Sequence, residues 1–181
     1  MLKGHLVYLD TIEQEDLEQL REWRNIEDFK KNFREFRDIS KTMQEKWFDN
    51  IVNNNDQHQM FAIKSNKNDE LLGCCGLTFI NWVHRHADLS FYIGHNQHYI
   101  DNIGYAKESV KLLFELGFNQ LAINKIWAEI YEFDQLKINI FDELGLKLDG
   151  ILRENYYFAG KHYNSLIFSI LVSEYKKSEH N

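Results

Sequence analysis

Hydrophobic residues recur along this chain at two different spacings. In residues 13–24 and 41–52 they recur every three to four positions, which predicts two amphipathic helices, the second with Ser40 as its N-cap. In residues 5–9 hydrophobic and polar positions alternate, which predicts a short strand before these helices. The first part of the chain therefore has the predicted order strand, helix, helix.

The rest of the chain alternates between strand-like and helical patterns. Residues 105–118 carry an apolar stripe at helical spacing, and residues 135–144 form a second amphipathic helix that ends at Gly145. The strand-like runs are residues 60–64, 71–81, 86–93, 125–130, 148–158 and 162–171. The β-α-β stretch in the middle favours one parallel pair, and the other strands favour antiparallel pairing. The pattern predicts a single α+β (mixed α/β) domain over residues 1–181, with a central, mostly antiparallel twisted sheet and helices on both faces.

Composition and charge exclude several classes of protein. The chain has 181 residues, is 44% hydrophobic and 14% aromatic, and carries a formal net charge of -7, which indicates a folded domain and not a general nucleic-acid binder. No apolar run is long enough to span a bilayer, and the first residues lack the apolar core of a signal peptide. Cys74 and Cys75 are adjacent, so in a strand they point to opposite faces and form no ordinary disulfide. We expect a cytoplasmic protein with no nucleic-acid and no membrane partner.

Residues 101–106, Asp-Asn-Ile-Gly-Tyr-Ala, form a turn between an alternating strand and the strongest helical pattern of the chain. At such a place several backbone N–H groups point outward together and bind phosphate without a charged side chain. The turn has one glycine and no Gly-Lys-Ser/Thr, so it is neither a P-loop nor a dinucleotide-binding fingerprint.

This turn and three later segments together resemble a known family, the GNAT-type N-acetyltransferases. The turn matches the family's Arg/Gln-x-x-Gly-x-Gly/Ala signature at Gly104 and Ala106, and Glu108 follows it as in related chains. The later segments are Asn-Lys-Ile-Trp-Ala at 124–128, Leu-Gly-Leu-Lys-Leu-Asp-Gly-Ile-Leu-Arg at 144–153 and Tyr-Phe-Ala-Gly-Lys at 157–161. They are most similar to the branch that contains ribosomal-protein alanine, polyamine and nucleotide-linked amino-sugar acetyltransferases.

The resemblance implies transfer of an acetyl group from acetyl-CoA, as cosubstrate, to a primary amine, with no metal. It places the parallel strand pair at the cofactor site. The coenzyme-binding residues that it implies are Ile93, Ile103, Gly104, Tyr105, Ala106 and Asp134. The chain departs from the family at three positions: Asp101 replaces the leading basic or amide residue, Asp134 replaces an asparagine, and Phe141 replaces the tyrosine that protonates the departing thiolate in many members.

The implied catalytic residues are Asp88 and Tyr92. A primary alkylamine with a pKa of about 10 is almost fully protonated at neutral pH, so a base must accept its proton, and Asp88 lies where this branch often has a strand carboxylate. Glu129 is the alternative base, and Tyr92 and Tyr131 are candidate acids. A simple thiol has a pKa of about 8.5, so a thiolate leaves readily and loss of the tyrosine at Phe141 does not abolish the reaction.

The expected acceptor is a small-molecule amine, with a nucleotide-linked amino sugar favoured because residues 32–37 are rich in arginine and aromatic side chains. The expected substrate-binding residues are Trp23, Arg24, Arg34 and Arg37. A protein N-terminal amine, a polyamine and a non-catalytic acyl-CoA-binding module remain alternatives, and a homodimer is left open. His84 and His86 share a strand face but lack a third ligand, so we interpret them as a polar hairpin end.

Overall fold

The computed structural model describes residues 1–178, which contain eight strands and six α-helices. The strands are β1 (Leu2–Lys3), β2 (Val7–Asp10), β3 (Gln59–Ser65), β4 (Leu71–Asn81), β5 (His86–Ile93), β6 (Lys125–Tyr131), β7 (Lys147–Phe158) and β8 (Lys161–Leu171). The helices are α1 (Leu17–Arg24), α2 (Glu27–Lys30), α3 (Lys41–Trp47), α4 (Tyr105–Phe114), α5 (Gln135–Glu143) and α6 (Val172–Ser178). A 3-10 turn precedes α1, and π-helical turns over Phe48–Asn53 and Glu115–Gln120 continue α3 and α4.

All eight strands belong to one sheet with the order β1-β2-β3-β4-β5-β6-β8-β7. The pair β5 and β6 is parallel, and the other neighbouring pairs within the described residues are antiparallel. The predicted fold class is therefore confirmed, including the single parallel pair that follows from a helical crossover between two strands.

The parallel strands separate along their length. Their register runs from His86 opposite Lys125 to Asp88 opposite Trp127 and stops there. Strand β5 continues to Ile93 on its other neighbour, β4, and β6 continues to Tyr131 on β8. A gap therefore opens in the middle of the sheet beyond Asp88.

Helices cover both faces of the sheet, as the sequence predicts. Because side chains alternate along a strand, Phe91 faces one side and Asp88 and Tyr92 face the other. On the side of Phe91 lie α4 and α5, and the ring of Phe141 in α5 is 6.0 Å from the ring of Phe91. On the opposite side lie α1 and α3, where the hydroxyl of Tyr92 contacts the Leu20 carbonyl of α1 at 3.5 Å.

The periodic segments agree with the structure to within a few residues, and the short elements do not. Ser40 caps α3 through a hydrogen bond from Met43 N to its Oγ at 3.2 Å, as predicted. The predicted first strand, residues 5–9, corresponds to β2, which begins two residues later and ends one residue later. Elements β1, α2 and α6 are too short to produce a recognisable period. Within residues 1–178 no helix is long and apolar enough to cross a membrane.

Candidate active site

A cavity of about 480 Å³ lies between the sheet and the segment that contains α1 to α3, beside the gap between β5 and β6. Three carboxylates line it, from Glu35, Asp88 and Glu129, and so do the cationic side chains of Arg24, Arg34 and Lys137. Aromatic rings, including those of Trp47 and Tyr131, form much of the remaining wall. A cavity with an apolar wall and a few charged groups is the usual form of a small-molecule site.

Asp88 lies in this cavity at the point where β5 and β6 separate. Its carboxylate is 5% exposed and accepts a hydrogen bond from Arg34 Nη1 at 2.9 Å, and Arg34 Nη2 is 3.4 Å from Glu129 Oε2. Burial raises the pKa of Asp88, while the positive charges of Arg34 and Lys137 oppose that shift. The two carboxylates thus form a site that already holds one cationic group, the guanidinium of the half-exposed Arg34.

Arg24 lies at the C-terminal end of α1 and reaches the same cavity. Its guanidinium carbon is 3.7 Å from the ring centroid of Phe33, and its Nε has no hydrogen-bond partner among residues 1–178. Burial lowers the pKa of Arg24. A buried donor without a partner is costly, so Arg24 Nε is placed to meet a polar group of a ligand.

Lys137 is a residue of the cavity that sequence reasoning did not identify. It lies on α5, and its Nζ is 4.6 Å from the ring centroid of Phe91, on the opposite side of the sheet from Asp88. It therefore reaches the cavity through the gap between β5 and β6. The sequence feature that could have identified it is a lysine on the apolar stripe of α5. Lys137 lies three residues before Ile140 and four before Phe141.

The structure does not bring three other predicted residues to the cavity as functional groups. Trp23 is buried against Gly94, where a Cβ would lie 1.9 Å from the indole, so Trp23 packs in the core. Arg37 is exposed and pairs with Glu35, and hydrogen bonds from Arg37 lower the pKa of Glu35 to about 2. Tyr92 lines the cavity, but burial raises its pKa well above the usual value, which disfavours it as a proton donor.

The turn before α4 has the geometry of an anion site. The Asp101 carboxylate accepts the backbone N–H groups of Ile103, Gly104 and Tyr105 on Oδ2, and that of Ala106 on Oδ1, at 2.6 to 2.9 Å. Gly104 has a φ of +113°, which an L side chain adopts only under strain. The predicted N–H groups do converge on an anion, and in this structure the anion is a carboxylate of the chain itself.

The other two residues predicted to bind the coenzyme, Ile93 and Asp134, also form hydrogen bonds within the chain. Ile93 N donates to the Tyr99 carbonyl at 2.9 Å, and the Tyr99 hydroxyl donates to Asp134 Oδ2 at 3.1 Å. Asp134 also caps α5 by accepting from Lys137 N. Because N–H groups alternate along a strand, Phe91 N–H points into the gap on the same side as Ile93 N–H, and we expect it to be the oxyanion donor.

These residues fit acetyl-coenzyme A as a cosubstrate. A helix N-terminus with converging N–H groups suits its pyrophosphate, and the gap between β5 and β6 opens beside the cavity that contains Asp88 and Glu129. A split mixed sheet, with a turn of converging N–H groups and a pair of carboxylates in a cavity beside the gap, is the arrangement that we expect of an acyltransferase site.

Comparison with known proteins identifies the family. The sequence model of the acetyltransferase (GNAT) domain family matches residues 7–147 of this chain, so the chain belongs to this family. It is an N-acetyltransferase with acetyl-CoA as its cosubstrate. It is 28% identical over 144 residues to the uncharacterised N-acetyltransferase p20 of Bacillus licheniformis, covering 80% of this chain and 79% of p20.

Two polyamine enzymes are also similar. The chain is 23% identical over 180 residues to spermidine N(1)-acetyltransferase of Escherichia coli (strain K12), covering 97% of this chain and 91% of that enzyme. The crystal structure of spermidine N-acetyltransferase from Vibrio cholerae in complex with CoA and spermine superposes with a TM-score of 0.85 at 20% identity. That match covers 94% of this chain and 98% of the other, and at such identity it shows the fold.

Proposed function

We propose that the protein acetylates a primary amine of a polyamine and that Asp88 and Glu129 bind its ammonium group. The observation that carries the proposal is the bridge from Arg34 to both carboxylates, at 2.9 and 3.4 Å. Since Arg34 is half-exposed, an incoming ammonium group can displace it into solvent. The similarity to two spermidine acetyltransferases supports this class of acceptor.

The walls of the cavity suit the same acceptor. Trp47, Phe33 and Tyr131 surround the carboxylates with aromatic surface, which packs against methylene chains and attracts ammonium groups through cation–π contacts. Once Arg34 has moved away, Asp88 accepts a proton from the bound ammonium group, which frees the nitrogen lone pair. The coenzyme supplies the acetyl thioester, and Phe91 N–H hydrogen-bonds the carbonyl oxygen of that thioester.

A nucleotide-linked amino sugar, which the sequence favoured, is the second candidate. The arginines expected to bind its phosphates are already paired with carboxylates, Arg34 with Asp88 and Arg37 with Glu35. The observation in favour of this acceptor is the buried, unpartnered Nε of Arg24, which suits an acceptor that carries an anionic or carbonyl group.

The two acceptors are separated by a turnover screen that follows thiol release from acetyl-CoA. We expect spermidine and spermine to be acetylated, and Asp88→Asn and Glu129→Gln each to raise the KM for polyamine. Glu115→Gln, an exposed carboxylate on the π-helical turn after α4, is the matched control. If only a nucleotide-linked amino sugar is acetylated, and Arg24→Met lowers that turnover, the acceptor is the amino sugar and not a polyamine. Turnover of an N-terminal peptide alone would exclude both.

A further inference from the structure

Lys137 has a buried position that packing alone does not explain. Its residue is 8% exposed, and its Nζ lies over the rings of Phe91 at 4.6 Å and Tyr99 at 5.3 Å. Within residues 1–178 its Nζ has no ion pair or hydrogen bond to a carboxylate. A buried ammonium group held against ring faces, at the edge of a ligand cavity, has its N–H bonds available for a ligand.

The charges around Lys137 come from four elements. Asp134, at the start of its own helix, and Asp88, on β5, are the carboxylates that act on it. Arg24, on α1, and Arg34, between α2 and α3, are the cations. Lys137, Asp88 and Glu129 line the same cavity.

The position of the missing family tyrosine is sealed off from this cavity. Phe141 lies four residues after Lys137, on the same face of α5, and is 0% exposed. Its ring packs against Phe91 at 6.0 Å and Phe168 at 5.4 Å. Phe141 has no proton to donate, and the side chain one turn earlier on this face, Lys137, is the one that reaches the cavity.

We propose that Lys137 is the acid that protonates the thiolate leaving group in this enzyme. The proposal rests on acetyl transfer to an amine and does not depend on which amine. The nitrogen lone pair forms the C–N bond as the C–S bond breaks, and the C–S electron pair moves to sulfur. Lys137 Nζ transfers a proton to that sulfur. Asp88 has by then released the ammonium proton to solvent, so it can accept the second proton, which the nitrogen loses on becoming an amide. Transfer of this second proton through water to Lys137 restores both residues.

A buried lysine is suited to this step. Burial lowers the pKa of Lys137, and the carboxylates of Asp134 and Asp88 oppose the shift. An ordinary lysine, with a pKa of about 10.4, holds its proton too tightly to give it to a thiolate with a conjugate-acid pKa of about 8.5. A lower pKa brings donor and acceptor closer together, which is the condition for efficient general-acid catalysis.

The test uses the ionisation of bound coenzyme A, followed by the ultraviolet absorbance of its thiolate as pH rises. The variants are Lys137→Met, which removes the charge, and Lys137→Arg, which keeps the charge but gives up no proton at these pH values. Lys67→Met, an exposed lysine in the turn between β3 and β4, is the matched control.

In wild type and Lys137→Arg we expect the bound thiol to ionise below its usual pKa of about 8.5, and in Lys137→Met we expect the effect to be lost. Turnover with acetyl-CoA should fall about tenfold to a hundredfold in both variants, at or below the low end for a general acid because a thiolate leaves readily. Unchanged thiol ionisation in folded Lys137→Met would overturn the proposal. A lowered thiol pKa in wild type, together with no turnover of polyamines, would support the role of Lys137 and would exclude a polyamine as the acceptor.

Discussion

The carboxylate of Asp101 accepts the backbone N–H of Gly104 at 2.6 Å, inside the turn that fits the coenzyme pyrophosphate. Four N–H groups converge on this one side chain. The chain therefore places an anion of its own at the turn that we predict to bind the coenzyme pyrophosphate. That anion must leave, or share the site, if the coenzyme binds there.

Asp101→Asn should bind acetyl-CoA more tightly than wild type. The change removes a negative charge from a site for a negatively charged ligand, and we expect an affinity gain of about tenfold, or about 1.4 kcal/mol. The same change weakens the cap of α4 and should lower the free energy of unfolding by about 1 kcal/mol. Calorimetric titration and chemical denaturation measure the two effects.

Asp142→Asn, an exposed change on α5, is the control for Asp101→Asn and should alter neither quantity. A weaker affinity in folded Asp101→Asn would mean that the carboxylate organises the turn for the coenzyme and does not compete with it.

Asp88→Asn should lower activity while raising the stability of the fold. We expect turnover to fall about a hundredfold to ten-thousandfold with the true acceptor, because the base that accepts the amine proton is lost. The loss should shrink as pH rises, since more of the amine is then free without help. The pH–rate profiles of both proteins measure this, and parallel profiles within a few-fold of each other would exclude Asp88 as the base.

The same substitution should stabilise the fold at neutral pH. Burial raises the pKa of Asp88, so the folded state binds its proton more tightly than the unfolded state does. The contribution of Asp88 to stability is then fully present below its usual pKa of about 3.9 and is lost as pH rises through the raised value. Asp88→Asn should therefore unfold at a higher temperature than wild type at pH 7, and the difference should decrease below pH 4. A lower unfolding temperature at pH 7 would show that the Arg34 pair outweighs burial.

The sequence predicted the elements around this site better than the contacts inside it. Alternation along residues 86–93 predicts a strand with Asp88 on one face, and the loop-to-helix pattern at 101–106 predicts converging N–H groups. The same pattern contains Asp101, but a hydrogen-bonding side chain within a turn has several conformations of similar energy. That Asp101 folds back onto the N–H groups depends on the three-dimensional turn.

The directions of side chains on α1 explain why one of two predicted substrate-binding residues reaches the cavity and the other does not. Trp23 and Arg24 are adjacent, so on a helix they point about 100° apart, and only one of them can face a given cavity. The apolar pattern of α1 is satisfied by Trp23 in the core, which directs Arg24 to the cavity. The sequence could not predict that Lys137 extends into the cavity, because that prediction requires knowing where β5 and β6 separate. The homodimer stays a prediction.

Glu108 should contribute to stability and not to catalysis. Its carboxylate on α4 accepts the backbone N–H groups of His5, Leu6 and Val7 at 2.7 to 2.9 Å, and so fastens α4 to the start of β2. Glu108→Gln leaves one acceptor oxygen and turns an amide N–H toward backbone donors, so we expect a loss of about 2 kcal/mol in the free energy of unfolding. Glu115→Gln should stay within about 0.5 kcal/mol of wild type. Equal denaturation midpoints for the two variants would contradict this role.

Phe141 should matter for packing and little for turnover. The ring is fully buried between Phe91 and Phe168, so Phe141→Leu leaves unfilled volume and should cost about 1–2 kcal/mol of stability. Phe141→Tyr restores the family residue, but its hydroxyl enters an apolar region and should cost about 1–3 kcal/mol unless it finds a partner. Turnover of both variants, measured well below their unfolding temperatures, should remain within a few-fold of wild type because Lys137 supplies the proton. A loss of several hundredfold in folded Phe141→Leu, or a gain of similar size in Phe141→Tyr, would place position 141 at the reacting atoms and remove that role from Lys137.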